Sequence, residues 1–118
     1  MKHGWVSFGL LIVFFAVLGL SHGVYAQRYT GIQAEMAQYG TNCNNYKDYA
    51  WHVNKVCGRK ESCTYRIDHR VIGDPAYGCA KSFFLKWRCF DKNGYVSIAR
   101  DEWVEQEASG KVLNLVCP

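Results

Sequence analysis

Breakers are scarce in this sequence of 118 residues, which has two prolines, Pro75 and the terminal Pro118. No repeat, low-complexity tract or linker divides it, and its length leaves room for one folded domain. No Asn-x-Ser/Thr sequon occurs, so N-glycosylation is not expected. No Cys-x2-Cys pair occurs, and neither His52 nor His69 stands at a finger-like spacing, which argues against zinc. Gly-x-Ser-x-Gly and His-Glu-x-x-His are both missing, and nothing points to a cofactor, so the expectation is a protein without catalysis. The formal net charge is only +4 and no dense Lys/Arg stripe appears, which argues against nucleic acid as the partner.

What is present begins with a basic start, Met1-Lys2-His3, and an almost wholly apolar run from Trp5 to Leu20. Ser21-His22-Gly23 breaks the run, and Val24-Tyr25-Ala26 ends it on a small residue. Charged start, apolar middle and small-residue exit make a secretory signal over residues 1–26. The run is short for a hydrocarbon core of ~30 Å. The expectation is therefore cleavage after Ala26, with no membrane span afterwards, rather than an uncleaved anchor. Residues 27–118 then form an exported domain, extracellular or periplasmic, with Gln27 first.

All six cysteines, Cys43, Cys57, Cys63, Cys79, Cys89 and Cys117, lie in that domain. An even number in a short exported chain reads as a disulfide framework, although spacing alone does not choose the pairs. So small a domain buries little apolar surface against its chain entropy. Closing a loop of about 30 residues removes roughly 3 to 4 kcal/mol of unfolded-state freedom on chain-entropy reasoning.

Ile32, Ala34 and Met36 alternate with Gln33, Glu35 and Ala37, the pattern of a half-buried strand. Tyr46, Tyr49, Val53 and Val56 recur at helical spacing and predict a helix over 46–56, capped by Asn44 or Asn45 and closed by Gly58. Thr64 to Asp68 reads as a strand with Tyr65 and Ile67 inward, and His69 to Ala80 as a loop. Ser82 to Cys89 is the strongest strand, with Phe83, Leu85 and Trp87 on one face. Asn93-Gly94 marks a hairpin returning through Tyr95 to Ala99, and Lys111 to Cys117 a last strand. The whole reads as an α+β domain: an antiparallel sheet with one main helix, stapled by disulfides.

The stretch Cys57-Gly58-Arg59-Lys60-Glu61-Ser62-Cys63, followed by Gly73-Asp74-Pro75, Gly78, Lys81 and Cys89, resembles the SUEL-type (rhamnose- or galactose-binding) lectin domain. Ala37-Gln38-Tyr39-Gly40 is similar to the end of that family's first strand. The chain departs from the pattern in having no cysteines before the first strand, Ala76 where a cysteine follows Asp-Pro, Thr41 after Tyr-Gly, and an extension ending in Cys117. The resemblance implies a Cys57–Cys63 loop. With the departures it implies Cys43–Cys79, and Cys89–Cys117 in place of the absent N-terminal arm.

It also implies a lectin site built from Tyr39, Asp74, Gly78 and Lys81, with His69 at a polar position five residues before the Asp. A carboxylate accepts from adjacent sugar hydroxyls, an ammonium donates to them, a glycine lets the ligand approach, and an aromatic ring forms a wall. An acidic anchor that the family takes from its N-terminal segment has no counterpart there. The partner so implied is a glycan or cell-surface carbohydrate. A secreted protein-binding factor, an inhibitor or effector, is the alternative.

Plainer readings stand beside these. Asp74 can serve only to cap a turn. Lys81 can be a surface lysine or half of a weak exposed pair. Tyr39 can be core, and His69 a solvent-facing loop residue. Phe84 is expected to pack under the C-terminal tail. Asp101, Glu102, Glu105 and Glu107 read as a solvated acidic face. Arg59, Lys60, Arg66 and Arg70 read either as solubilising charge or as contacts to an anionic glycan.

Overall fold

The structure, a computed structural model, describes residues 30–94 and 96–118; residues 1–29, which include the expected signal segment 1–26, and Tyr95 lie outside the described residues. The first strand, β1 (Gly31–Tyr39), is central to the larger sheet. Its alternation does not run unbroken. The register against the later strand slips between Ala34 and Met36, so Ile32 and Ala34 face the core and then Ala37 and Tyr39 do. An inserted residue reverses which parity points inward. The sequence expectation of Met36 inward and Ala37 outward is corrected by that bulge. Without it, Tyr39 would face away from the core.

The expected helix starts late. Lys47–Asp48 pairs with Gln38 and Tyr39 as a two-residue strand, β2, and only then does α1 (Ala50–Cys57) begin. Asp48 Oδ1 accepts the Ala50 amide at 2.8 Å, the role expected of Asn44 or Asn45. Asn44 instead takes a left-handed conformation at φ 54°, and the Asn45 amide donates to the Pro75 carbonyl. Tyr46 is exposed, while Tyr49, Val53 and Cys57 carry the buried face.

Strand β3 (Ser62–Arg66) keeps Tyr65 inward, and Ile67 just beyond it is also buried. Part of the expected loop is a single helical turn, α2 (His69–Ile72), capped by Asp68 through the Arg70 amide. Strand β4 (Phe83–Phe90) buries Phe83, Leu85, Trp87 and Cys89 in strict alternation. After Asn93-Gly94 the chain touches back only through a Phe90–Val96 bridge; the return strand, β5, is Arg100–Val104, inside the supposed acidic face. Phe84 meets Trp103 of β5 with ring centroids 5.2 Å apart.

The last strand, β6 (Val112–Val116), pairs with β3 and not with the main sheet. The architecture is thus two antiparallel sheets, β2-β1-β4-β5 and β3-β6, where one was expected. It is a small disulfide-stapled α+β domain. Disulfides join Cys43–Cys79, Cys57–Cys63 and Cys89–Cys117, the pairs that the resemblance and its departures implied, and no described cysteine is free.

The outer edge of β1 has no strand beside it along most of its length, and α1 covers it. The Asn54 side-chain amide donates to the Ala34 carbonyl at 2.9 Å and its oxygen accepts the Ala34 amide at 2.8 Å. One side chain thereby satisfies both backbone groups of a buried residue, as a neighbouring strand would. Asn54→Leu would leave them orphaned. The expected loss is about 1 to 3 kcal/mol of unfolding free energy by denaturant titration. Asn54→Asp, which can accept the Ala34 amide but cannot donate to its carbonyl, should lose stability as well; a midpoint unchanged by Leu would mean that the amide bridge contributes nothing.

Candidate functional site

The five residues named from sequence, Tyr39, His69, Asp74, Gly78 and Lys81, line one open hollow of about 400 Å³ together with Glu107 and Ser109. Its rim is the irregular stretch 73–81, between α2 and β4. Gly73 leaves α2 at φ 96°, returning its amide to the His69 carbonyl. Asp74 Oδ1 then accepts the Ala76 amide at 3.1 Å, a local turn closed by a side chain. The Cys43–Cys79 disulfide pins the far end of the stretch.

The inside of this rim is held by Lys81, only 3% exposed. Its Nζ pairs with Asp74 Oδ1 at 2.8 Å and donates to the carbonyls of Ala76 at 3.0 Å and Cys79 at 2.5 Å. Three N–H groups meet three acceptors, so the ammonium is saturated. Burial of an unpaired ammonium would be prohibitive, and this set of partners removes that penalty. Nζ also lies 5.5 Å from the centre of the Tyr39 ring. Lys81 is neither a surface lysine nor a donor left over for a ligand; the expected pair with Asp74 forms, but its ammonium end is buried rather than exposed. It shapes the loop that carries Asp74 and Gly78.

For Tyr39 the plainer reading, core, holds. At 1% exposure it is floor, not wall. Its hydroxyl donates to Glu107 Oε1 at 2.5 Å. Burial first, then the Glu107 hydrogen bond and charge, push the phenol far above its ordinary pKa. The fully exposed aromatic nearby is Tyr77, at the tip of the same loop.

Glu107 is the residue that sequence reading assigned to a solvated face. Its two oxygens accept from the Tyr39 hydroxyl and the Ser109 amide, and from the Lys81 amide at 2.9 Å. Burial pushes its carboxyl up, but the hydrogen bonds from Tyr39, Lys81 and Ser109 outweigh it and hold the group below its usual range. A local signal existed: a carboxylate two residues before Ser109-Gly110 can accept the Ser109 amide. The contact with Tyr39, 68 residues earlier, had none.

His69 stands at the rim, its Nδ1 2.7 Å from Ser109 Oγ. Asp74 Oδ2 carries no protein hydrogen bond among the described residues, so one carboxylate oxygen is open to solvent. The Lys81 hydrogen bond, then the Ala76 amide, hold the Asp74 carboxyl below its usual range against a smaller desolvation push. Gly78, at φ 80°, has nothing within 4 Å of where a Cβ would stand. Of the basic residues, Arg70 is spent on Asp68 at 2.9 Å, and Arg59 lines a separate hollow beside Gln33 and Asn54.

Among the described residues no group of three or more His, Cys, Asp or Glu side chains could hold a metal ion, and no helix is long and apolar enough to cross a membrane. Three disulfides are compatible with an oxidising compartment. Comparison with protein-family models, with curated proteins and with solved structures gave no match.

Asp74 and Glu107 both have carboxyls held low in the folded state. Their contribution to stability is therefore complete above the ordinary carboxylate range and lost as the pH falls below about 4. Lys81→Met should cost about 2 kcal/mol at neutral pH, because buried carbonyls lose their donor while Asp74 turns to water. The acid-side decline should also be shallower in the variant. Equal stability and an identical acid profile by denaturant titration from pH 7 to pH 2 would contradict the role given to Lys81.

Proposed function

We propose that the protein is a secreted, non-catalytic carbohydrate-binding module with a fold of the SUEL-type lectin kind. The observation that carries this reading is the convergence of Tyr39, His69, Asp74, Gly78 and Lys81 on one open hollow. These residues come from β1, α2 and the loop between α2 and β4, so chain proximity accounts for only part of it.

The chemistry suits a neutral polyol. Asp74 Oδ2 is an open, charged acceptor fixed by a loop that cannot collapse onto it. His69 and Ser109 add an adaptable donor–acceptor pair, and Gly78 leaves the backbone approachable. The resemblance called for a further acid from an N-terminal segment absent here. Glu107, from the C-terminal extension, supplies a carboxylate at the same hollow. Two carboxylates at a site with no unspent cation disfavour an anionic glycan there and favour a neutral one.

A single shallow site binds weakly, so useful avidity requires several copies or a multivalent surface. The second reading, a protein-binding factor, draws on Tyr77 and Ile98, which are 97% and 89% exposed.

A glycan array followed by titration of its best ligand is the test. Asp74→Asn keeps the turn but removes the charge, and should weaken binding about tenfold or more, as expected for loss of a charge-assisted hydrogen bond of about 1.5 kcal/mol. His69→Ala should weaken it less. Unchanged affinity in both variants would remove the site. Capture of a protein partner undisturbed by competing monosaccharide would favour the second reading.

A further inference from the structure

A second hollow, of about 580 Å³, lies beside the first and is lined by Thr41, Asn42, Ser82, Trp103, Glu105 and Gln106. They have no lining residue in common, but their linings adjoin along the chain. Along the segment entering β4, Lys81 belongs to the first and Ser82 to the second. Along the segment leaving β5, Glu107 belongs to the first and Glu105 and Gln106 to the second. The ridge between them is a hydrogen-bonded bridge. The Asn42 amide donates to the Ala80 carbonyl at 2.7 Å and to Gln106 Oε1 at 2.6 Å. Its oxygen accepts the Ser82 amide at 2.8 Å and the Ser82 hydroxyl at 3.1 Å.

Building on the carbohydrate reading, we propose that the Trp103 hollow is a second sugar subsite and that the ligand is a neutral oligosaccharide occupying both. Trp103 is 65% exposed, and its indole is braced from behind by Phe84, its cross-strand partner. A supported, solvent-facing indole offers a flat apolar surface to the C–H face of a pyranose ring. Around it stand the groups a sugar's hydroxyls need. The Glu105 carboxylate has no protein partner among the described residues, and the Thr41 and Ser82 hydroxyls lie 3.3 Å apart. The first hollow lacks an aromatic wall, since Tyr39 is its floor. The second supplies one on the other side of the Asn42 bridge.

The test is calorimetric titration of the disulfide-intact domain with methyl galactoside and methyl rhamnoside and with the di- and trisaccharides built on each. Wild type should bind the preferred disaccharide at least tenfold more tightly than its monosaccharide. Trp103→Ala should abolish that gain and leave monosaccharide affinity unchanged, and Trp103→Phe should restore part of it. Glu105→Ala, at an exposed position that leaves the Phe84–Trp103 contact intact, should reduce the gain as well. Equal affinity for mono- and disaccharide, or a full gain retained in Trp103→Ala and Glu105→Ala, would overturn the second subsite and leave the first standing. No binding of any sugar in either series, with a blank glycan array, would bring down the carbohydrate reading and this inference with it.

Discussion

The site depends on one buried ammonium. The ten residues between α2 and β4, 73–82, have almost no regular structure and little apolar surface to hold them. What holds them is Lys81 Nζ, reaching up from the foot of β4 to the Asp74 carboxylate and the Ala76 and Cys79 carbonyls. Each acceptor belongs to a different part of the loop, so one side chain sets the positions of Asp74, Gly78 and the Cys79 end together. Its own backbone amide holds Glu107. The same residue therefore fixes both carboxylates of the hollow, one through its side chain and one through its main chain. The Cys43–Cys79 disulfide and the Asn45–Pro75 contact secure the outside of the loop. Lys81 ties the inside, together with the Ala76 amide on Asp74 and the Cys79 amide on the Ala76 carbonyl.

The C-terminal extension is structural in several places at once. It supplies β5 as an edge of the main sheet, β6 as the partner of β3, and the turn that carries Glu107 and Ser109 to the hollow. Backbone bonds stitch that turn between the two sheets: the Ala108 amide donates to the Lys81 carbonyl, and the Gly110 amide to that of Ile67. Ala108 and Leu115 are fully buried, and Cys117 closes the extension onto Cys89. A segment with this many anchors is part of the core, and its polar residues are placed as firmly as those of β1.

Local patterns made much of this legible. The alternation in Phe83–Cys89 and the turn residues around Asp74 needed no tertiary information, and the strands carrying Tyr65 and Leu115 were within a residue or two of where they lie. The limits of α1 were not legible, because Lys47 and Asp48 are claimed by pairing with β1, a contact that outweighs helical spacing at Tyr46. The inward turn of Ala37 and Tyr39 was hidden by a bulge that only the register against β4 reveals. Lys81 was recognised as a residue of interest and misread in role, since its saturation depends on two carbonyls that a sequence does not display. Glu107 was missed because the last member of an acidic run, in the turn after β5, looks like part of a solvated face until its partners are known. Chemistry at each position could be read; which atoms were already spent could not.

The buried ammonium can be observed directly. In the proton–nitrogen spectrum of lysine side chains recorded near neutral pH, exposed ammonium groups exchange with water too fast to appear. The account predicts one protected Nζ resonance, lost in Lys81→Met and shifted in Asp74→Asn. A spectrum in which no lysine is protected, or in which the protected lysine is another residue, would contradict it.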